Sequence, residues 1–250
     1  MQKYIAVVNP RMDDDEISQL IAKDIAGALF SISHENYALA SKLIQQVKKL
    51  SKQHNRPVSI MQDVSDMTDP LNLEFGMKNG ADWIVTDKHD HLKMARGLNK
   101  LANVIYKGRD LPKGFRVDSV MADNFLDPDA EVMGKNSGHQ IKHLITEHGD
   151  QKILDVLMHV VGQAHTVGIA VSDLDLAKAL SFRRVKNKIF FMPQDPKLAS
   201  RAAIYWGVYP VWGGKNLAAA LIDSKLAHKK DRIVDARDMK HVSINLLQLS

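Results

Sequence analysis

Two loops carry the residue types best suited to chemistry. Asp63-Val-Ser-Asp66-Met-Thr-Asp69 follows the apolar run Val58–Met61, and Asp87, His89, Asp90 and His91 follow Trp83–Thr86. Carboxylate and neutral imidazole together hold divalent ions such as Mg²⁺ or Mn²⁺, so Asp63, Asp66, Asp87 and His89 form one candidate metal set if the two loops face each other. Such a set could act on a phosphorylated small molecule. A simpler account is a hydrophilic strand-to-helix loop with Asp87 or Asp90 capping the next helix, since His-x-His has no fixed partner spacing here. His34 follows Ser33 and could orient its hydroxyl, but no acidic third member is identifiable, and a helix start suffices for Ser33.

Three further groups carry less. Arg183-Arg184-Val-Lys186-Asn-Lys188 is the densest basic cluster. It reads as a solvated turn before a strand, because no aromatic platform is interleaved with it to mark a nucleic-acid contact. His139, His143 and His148 are scattered surface histidines. Gly207 to Lys215 has the wrong spacing for a phosphate loop, with Asn216 where a Ser or Thr would be needed.

The elements that must position these residues alternate. Tyr4–Val8 reads as a strand, and Asp13–Glu16 opens a helix through Ile17, Leu20, Ile21 and Ile25, its acids suiting the positive end of the helix dipole. Ala28–Ile32 is a second strand. A long helix opens at Ser33-His34-Glu35 and turns Leu43, Ile44, Val47 and Leu50 inward. Val58–Met61 and Trp83–Thr86 are the third and fourth strands, and His91–Tyr106 is a closing helix. Four strand–helix steps predict a parallel α/β sheet or part of a (βα) barrel over residues 1–106, with ligands beyond the carboxyl ends of the strands. Residues 107–139, rich in Gly and Pro, read as a connector with one strand at Val117–Met121 and one short helix. Residues 140–250 read as a smaller α/β domain. It holds a helix from Ile141 to Gly162, then Val167–Val171, Leu174–Phe182, Ile189–Met192, a helix opened by Asp195-Pro196, Val208–Trp212, Leu217–Ala227, Ile233 and Val242–Leu247.

A chain of 250 residues, 45% hydrophobic, can bury one large or two small cores. It contains no cysteine, which excludes disulfides and thiolate metal sites within it. No apolar run approaches spanning length, and Met1-Gln2-Lys3-Tyr4 enters a strand directly, so a cytoplasmic protein without a membrane role is expected. The net charge of +5 is moderate, with no specific nucleic-acid signal.

The stretch Lys188–Trp212 resembles the C-terminal domain of pyruvate kinases, where an apolar strand, a capped helix with a Ser-Arg pair and Trp-Gly-Val-Tyr-Pro-Val recur in this order. Lys3–Pro10, Ala28–His34, Pro57–Asp63 and Phe75–Val85 resemble barrel steps of the same family in family order, and these short stretches are spread from Lys3 to Trp212. The resemblance implies a partial (βα) barrel-like sheet followed by a smaller pyruvate kinase C-terminal-like α/β domain. It makes Asp63 the acidic ligand, and Ser31 and Ser33 the counterparts of the K⁺ ligands.

The departures are equally specific. Leu29 stands where the family has its substrate arginine, Val64-Ser65-Asp66 replaces Thr-Lys-Gly, and no catalytic Lys-Ile-Glu segment is present. Ala95-Arg96-Gly97 is followed by Leu98 instead of the metal-binding aspartate. Val171-Ser172-Asp173-Leu174-Asp175 places two carboxylates where the family cradles a sugar phosphate. Phosphoryl transfer needs cations around the moving group. The expectation is therefore a pyruvate kinase-like binding, regulatory or structural module that has lost phosphotransfer. Its open sheet edges would be covered by a second copy or a protein partner. The alternative is a metal-dependent enzyme with Asp63 and His34 as catalytic candidates.

Overall fold

The computed structural model describes residues 4–32, 36–66, 69–99, 102–107, 119–121, 141–142, 151–212, 216–238 and 243–249. Ser33 and His34 lie outside these residues, as do His139, His143 and His148. Two compact units divide the chain. One is drawn from Lys3–His54 and Val58–Leu144, the other chiefly from Ile145–Ser250.

In the first unit, β1 (Tyr4–Val7), α1 (Asp14–Ala22), β2 (Ile25–Ser31), α2 (Tyr37–Gln53), β3 (Ser59–Asp63), α3 (Pro70–Lys78), β4 (Trp83–Thr86), α4 (His89–Leu98) and β5 (Val104–Lys107) alternate strictly. They are followed by β6 (Ser119–Met121) and β7 (Ile141–Lys142). The sheet runs β1 to β7 in chain order, parallel except for the antiparallel β6–β7 pair. Helix starts follow from capping chemistry. Asp13 accepts the Glu16 amide while Glu16 accepts the Asp13 amide, and Asp69 accepts the Leu71 amide ahead of Pro70. On one face of the sheet Ala6, Ala28, Phe30 and Ile60 pack against Ile17, Ile21, Leu43, Ile44 and Val47 of α1 and α2. The opposite face, with Leu29, Met61, Trp83, Val85 and Ile105, is equally buried, as strands of a parallel sheet require.

The strand rhythm differs from expectation at several points. Ile25 starts β2 instead of ending α1, because Asp24 turns the chain with φ 67°. α4 stops at Leu98, and Val104-Ile-Tyr106 forms a fifth parallel strand in place of further helix. A β-branched and aromatic run beside the exposed β4 edge favours strand over helix. α2 is described from Tyr37, after Asn36, and the expected helix opening at residues 33–35 lies outside the described residues.

The second unit contains α5 (Gln151–Gln163), β8 (Gly168–Val171), α6 (Leu174–Phe182), β9 (Lys188–Phe191), α7 (Pro196–Ala202), β10 (Val208–Pro210), α8 (Leu217–Asp223), β11 (Arg232–Asp235) and β12 (Asn245–Gln248). Its five strands are ordered β10-β9-β8-β11-β12, four parallel and β12 antiparallel at the edge. Ile141–Lys142, expected as the start of a helix, instead pairs with β6, and α5 is described from Gln151. Asp173, Asp195 and Asn216 cap α6, α7 and α8 through their side chains. Among the described residues no helix is long and apolar enough to cross a membrane.

The central strand β8 tolerates no side chain at its first position. A Cβ on Gly168 would meet the Phe190 ring and lie 2.7 Å from the Lys188 carbonyl oxygen. Gly168→Ala should lower unfolding stability by about 1–3 kcal/mol, measured by urea denaturation. An unchanged midpoint would show that β8 and β9 separate readily.

Candidate functional site

Parallel pairing brings the carboxyl ends of β1 to β5 to one rim. The register sets Ser31 beside Asp63 and Asp63 beside Val85. Side chains alternate across the sheet. Ile60 therefore faces the helices with Gln62, whose side chain reaches α3, while Ser31, Met61 and Asp63 point to the opposite face. Asp63 is half-buried there and accepts the Ser65 amide at 2.9 Å, which folds the strand end back on itself. Asp66 and Asp87 are exposed. Asp69 is occupied as the α3 cap.

Neither Asp87 nor Asp90 caps α4. Lys88 occupies that position and its side chain makes no cap bond, while the Lys88 amide donates to Thr86 Oγ1 at 3.0 Å. Asp90 pairs with Lys93 at 3.6 Å on the surface. His91 is buried, with Nδ1 3.3 Å from Thr86 Oγ1, so it belongs to the core of the fourth βα step. His89 is half-buried in the first turn of α4. Among the described residues no group of three His, Asp or Glu side chains could hold a metal ion. Asp63, Asp66, Asp87 and His89 thus share a rim without converging on a point.

Behind this rim lies a polar cluster without a signature in the sequence. Gln62 is fully buried in β3 and donates through Nε2 to the Asn72 carbonyl at 2.6 Å, while its Oε1 has no protein partner. Asn72 Oδ1 accepts from the Tyr37 hydroxyl at 2.6 Å, and the Tyr37 and Phe75 rings stack at 4.1 Å. Gly76 passes so close to the Gln62 amide that no side chain fits between them. A glutamine inside the apolar strand Ser59-Ile-Met-Gln62 was the only visible signal.

In the second unit the strand order reverses between β8 and β11, the place where open α/β sheets form ligand crevices. Ser172 Oγ donates to the Arg237 carbonyl at 2.7 Å across that crevice. The Arg237 guanidinium is held by Asp235 through two bonds of 2.8 and 2.7 Å. Hydrogen bonding to Asp235 keeps Arg237 above its ordinary pKa, against its partial burial. Asp173 is committed to the Leu176 amide as the α6 cap, and Asp175 pairs with Lys178 at 3.3 Å. A phosphate entering here meets a neutralised arginine and two carboxylates.

The basic cluster Arg183–Lys188 has aromatic neighbours that its own spacing does not reveal. Arg184 lies 5.8 Å from the Trp206 ring centroid, and Lys188 Nζ lies 5.8 Å from that of Tyr209. Tyr209 lies in β10, which neighbours β9 in the sheet, and Trp206 lies in the turn that leads into it. No family model matches the chain, and no curated protein matches it.

Tyr37 offers a readout for the first unit. Partial burial and the nearby Asp69 carboxylate hold its phenol above the ordinary value of 10.0. A pKa raised by folding contributes stability that is present below about pH 10 and lost as pH rises beyond it. In denaturation series from pH 8 upward, Tyr37→Phe should remove that alkaline loss. It should also lower stability by about 1 kcal/mol at neutral pH through the missing bond to Asn72.

Proposed function

We propose that this chain is a pyruvate kinase-like protein without phosphotransfer, a binding, regulatory or structural module. The observation that carries this reading is the state of the rim carboxylates. Asp63 accepts the Ser65 amide and Asp69 caps α3. Phosphoryl transfer depends on metal-held phosphates and on a lysine or arginine beside the moving group. Leu29, at the position the resemblance gives to the substrate arginine, is a buried apolar residue of β2.

The α/β fold is compatible with that ancestry. Six parallel strands in chain order, separated by helices through β5, are the arrangement from which a (βα) barrel is built. A parallel run with strand reversal and an antiparallel edge follows in the second unit. We read these as a partial barrel-like domain and a pyruvate kinase C-terminal-like domain in a cytoplasmic protein. A second copy or a protein partner would cover what a partial barrel leaves open.

The purified chain should show no turnover of phosphoenolpyruvate and ADP with Mg²⁺ or Mn²⁺ and K⁺, and calorimetric titration should find no tight divalent site. Turnover that Asp63→Ala abolishes would overturn the proposal in favour of a metal-dependent enzyme. Light scattering should report an assembly larger than the monomer or a co-purifying protein. A strict monomer without a partner would remove the case for a binding module.

A further inference from the structure

The second unit carries all of the chain's net charge. Residues 145–250 hold fifteen Lys and Arg against ten Asp and Glu, a balance of +5, while residues 1–144 hold nineteen of each. The fold then sorts this charge along the sheet. β8, β9, β10 and β11 are parallel, so the loops entering them open at one end. Arg183, Arg184 and Lys186 precede β9, and Lys188 begins it. Lys225, Lys229 and Lys230 precede β11, and Arg232 begins it. Seven of these eight cations are exposed, and Lys188 reaches from one loop to the other through Nζ to the Leu226 carbonyl at 2.8 Å. Asp155, 3.6 Å from Arg183, with Asp223 and Asp231, is the acidic counterweight among the described residues. The strand-exit end holds Asp173, Asp175, Asp195, Asp235 and Asp238 against Lys197 and Arg237.

Aromatic rings stand among the entry-end cations. Phe182 immediately precedes Arg183 and is 53% exposed, an unusual condition for a phenylalanine. Trp206, at the entry to β10, is half-buried with Arg184 beside its ring. The backbone adds an independent indication. Arg184 (φ 49°) and Lys225 (φ 57°) take the left-handed position after α6 and α8, and Lys230 has φ 73°. The two helix ends close with the Val185 amide on the Leu180 carbonyl and the Leu226 amide on the Leu221 carbonyl, a motif that normally ends in glycine. Of the four non-glycine residues described within 145–250 with left-handed angles, three are these cations and the fourth is His165. Attraction to a helix C-terminus accounts for a cation in the final turn. It does not account for eight cations over two loops and the strands they enter.

We infer that the strand-entry end of the second sheet binds single-stranded nucleic acid, with its phosphates on the two cationic loops and its bases on Phe182 and Trp206. A groove of cations with exposed rings matches a flexible strand whose bases are free to stack. An anionic membrane also attracts cations, but insertion that would anchor the chain there draws on apolar side chains, and no exposed large aliphatic lies on the loops entering β9, β10 and β11. The inference concerns the second unit alone and is independent of whether phosphotransfer is lost.

The test uses the full chain with a labelled uridine oligomer of about 12 nucleotides and its deoxythymidine counterpart, read by fluorescence anisotropy across a salt series. Binding should weaken steeply with salt. The triple variant Arg184→Gly, Lys225→Gly and Lys230→Gly should fold with undiminished stability, because glycine suits those backbone angles. It should bind at least tenfold more weakly, with a log–log salt slope smaller by about 2. Phe182→Ala with Trp206→Leu should weaken binding about tenfold without changing that slope. Absence of binding at about 50 mM salt, or a folded triple variant with wild-type affinity, would overturn the inference. Ring substitutions without effect would assign the patch to polyanions in general and overturn it as a nucleic-acid site. Binding to phosphatidylserine vesicles but not to either oligomer would replace it with a membrane contact.

Discussion

The close approach of β8 and β9 is the constraint on which the second unit depends. Gly168 has no side chain where the Phe190 ring crosses it, and this lets four residues of β8 pair along the length of β9. With β9 on one side and β11 on the other, β8 becomes the centre of the sheet. The chain winds outward from β8 through β9 to β10, then returns to place β11 on the opposite side. Everything chemically notable in this unit follows from that return. It opens the crevice between Ser172 and Arg237, and it gathers the loops before β9 and β11 at the other end of the sheet. Their cations are about forty positions apart in the chain, yet Lys188 touches the second loop.

Legibility in the sequence followed the range of the interaction responsible. Helix starts are legible where one or a few local side chains suffice, as with the acids at Asp13–Glu16 and with Asp195 before Pro196. The bounds of α6, Leu174 to Phe182, were readable for the same reason. The helix expected over His91–Tyr106 gives way at its end to β5, Val104–Lys107. That strand depends on the edge of β4, a partner the local pattern does not contain. The Gln62–Asn72–Tyr37 cluster was invisible because it joins β3, α3 and α2. The candidate rim was legible as an edge but not as a site. Parallel pairing fixes which residues end up level, and leaves open whether their side chains converge.

That distinction governs how acidic residues should be weighed here. Thirteen of the first ninety residues are Asp or Glu, enough to suggest metal chemistry from composition alone. Yet a short carboxylate beside a turn can bind the amide two or three residues onward, satisfying a backbone group that would otherwise remain unpaired. Asp13, Asp63 and Asp69 all do so. Asp82 reaches across to β3 and accepts the Ile60 amide at 2.9 Å, which tightens the β3–β4 junction. A carboxylate engaged in this way must give up or share that bond before it ligates a cation. Residue type therefore overstates the rim's capacity for catalysis.

The same reasoning runs in the opposite direction for the basic loops. A cation gains from the backbone only through carbonyls, since an ammonium or guanidinium can only donate, and at these helix ends the Leu180 and Leu221 carbonyls already accept backbone amides. Lys188 does find a carbonyl, and Arg183 finds Asp155 at the long distance of 3.6 Å. Arg184, Lys225 and Lys230 additionally sit at backbone angles that glycine adopts without strain. Exposed pairs such as Arg183–Asp155 contribute little to stability. Folding alone thus favours dispersing or replacing these cations, whereas the fold concentrates them. The structural rationale that disposes of the rim aspartates is missing here, and that asymmetry makes the basic end of the second sheet the stronger candidate for recognition.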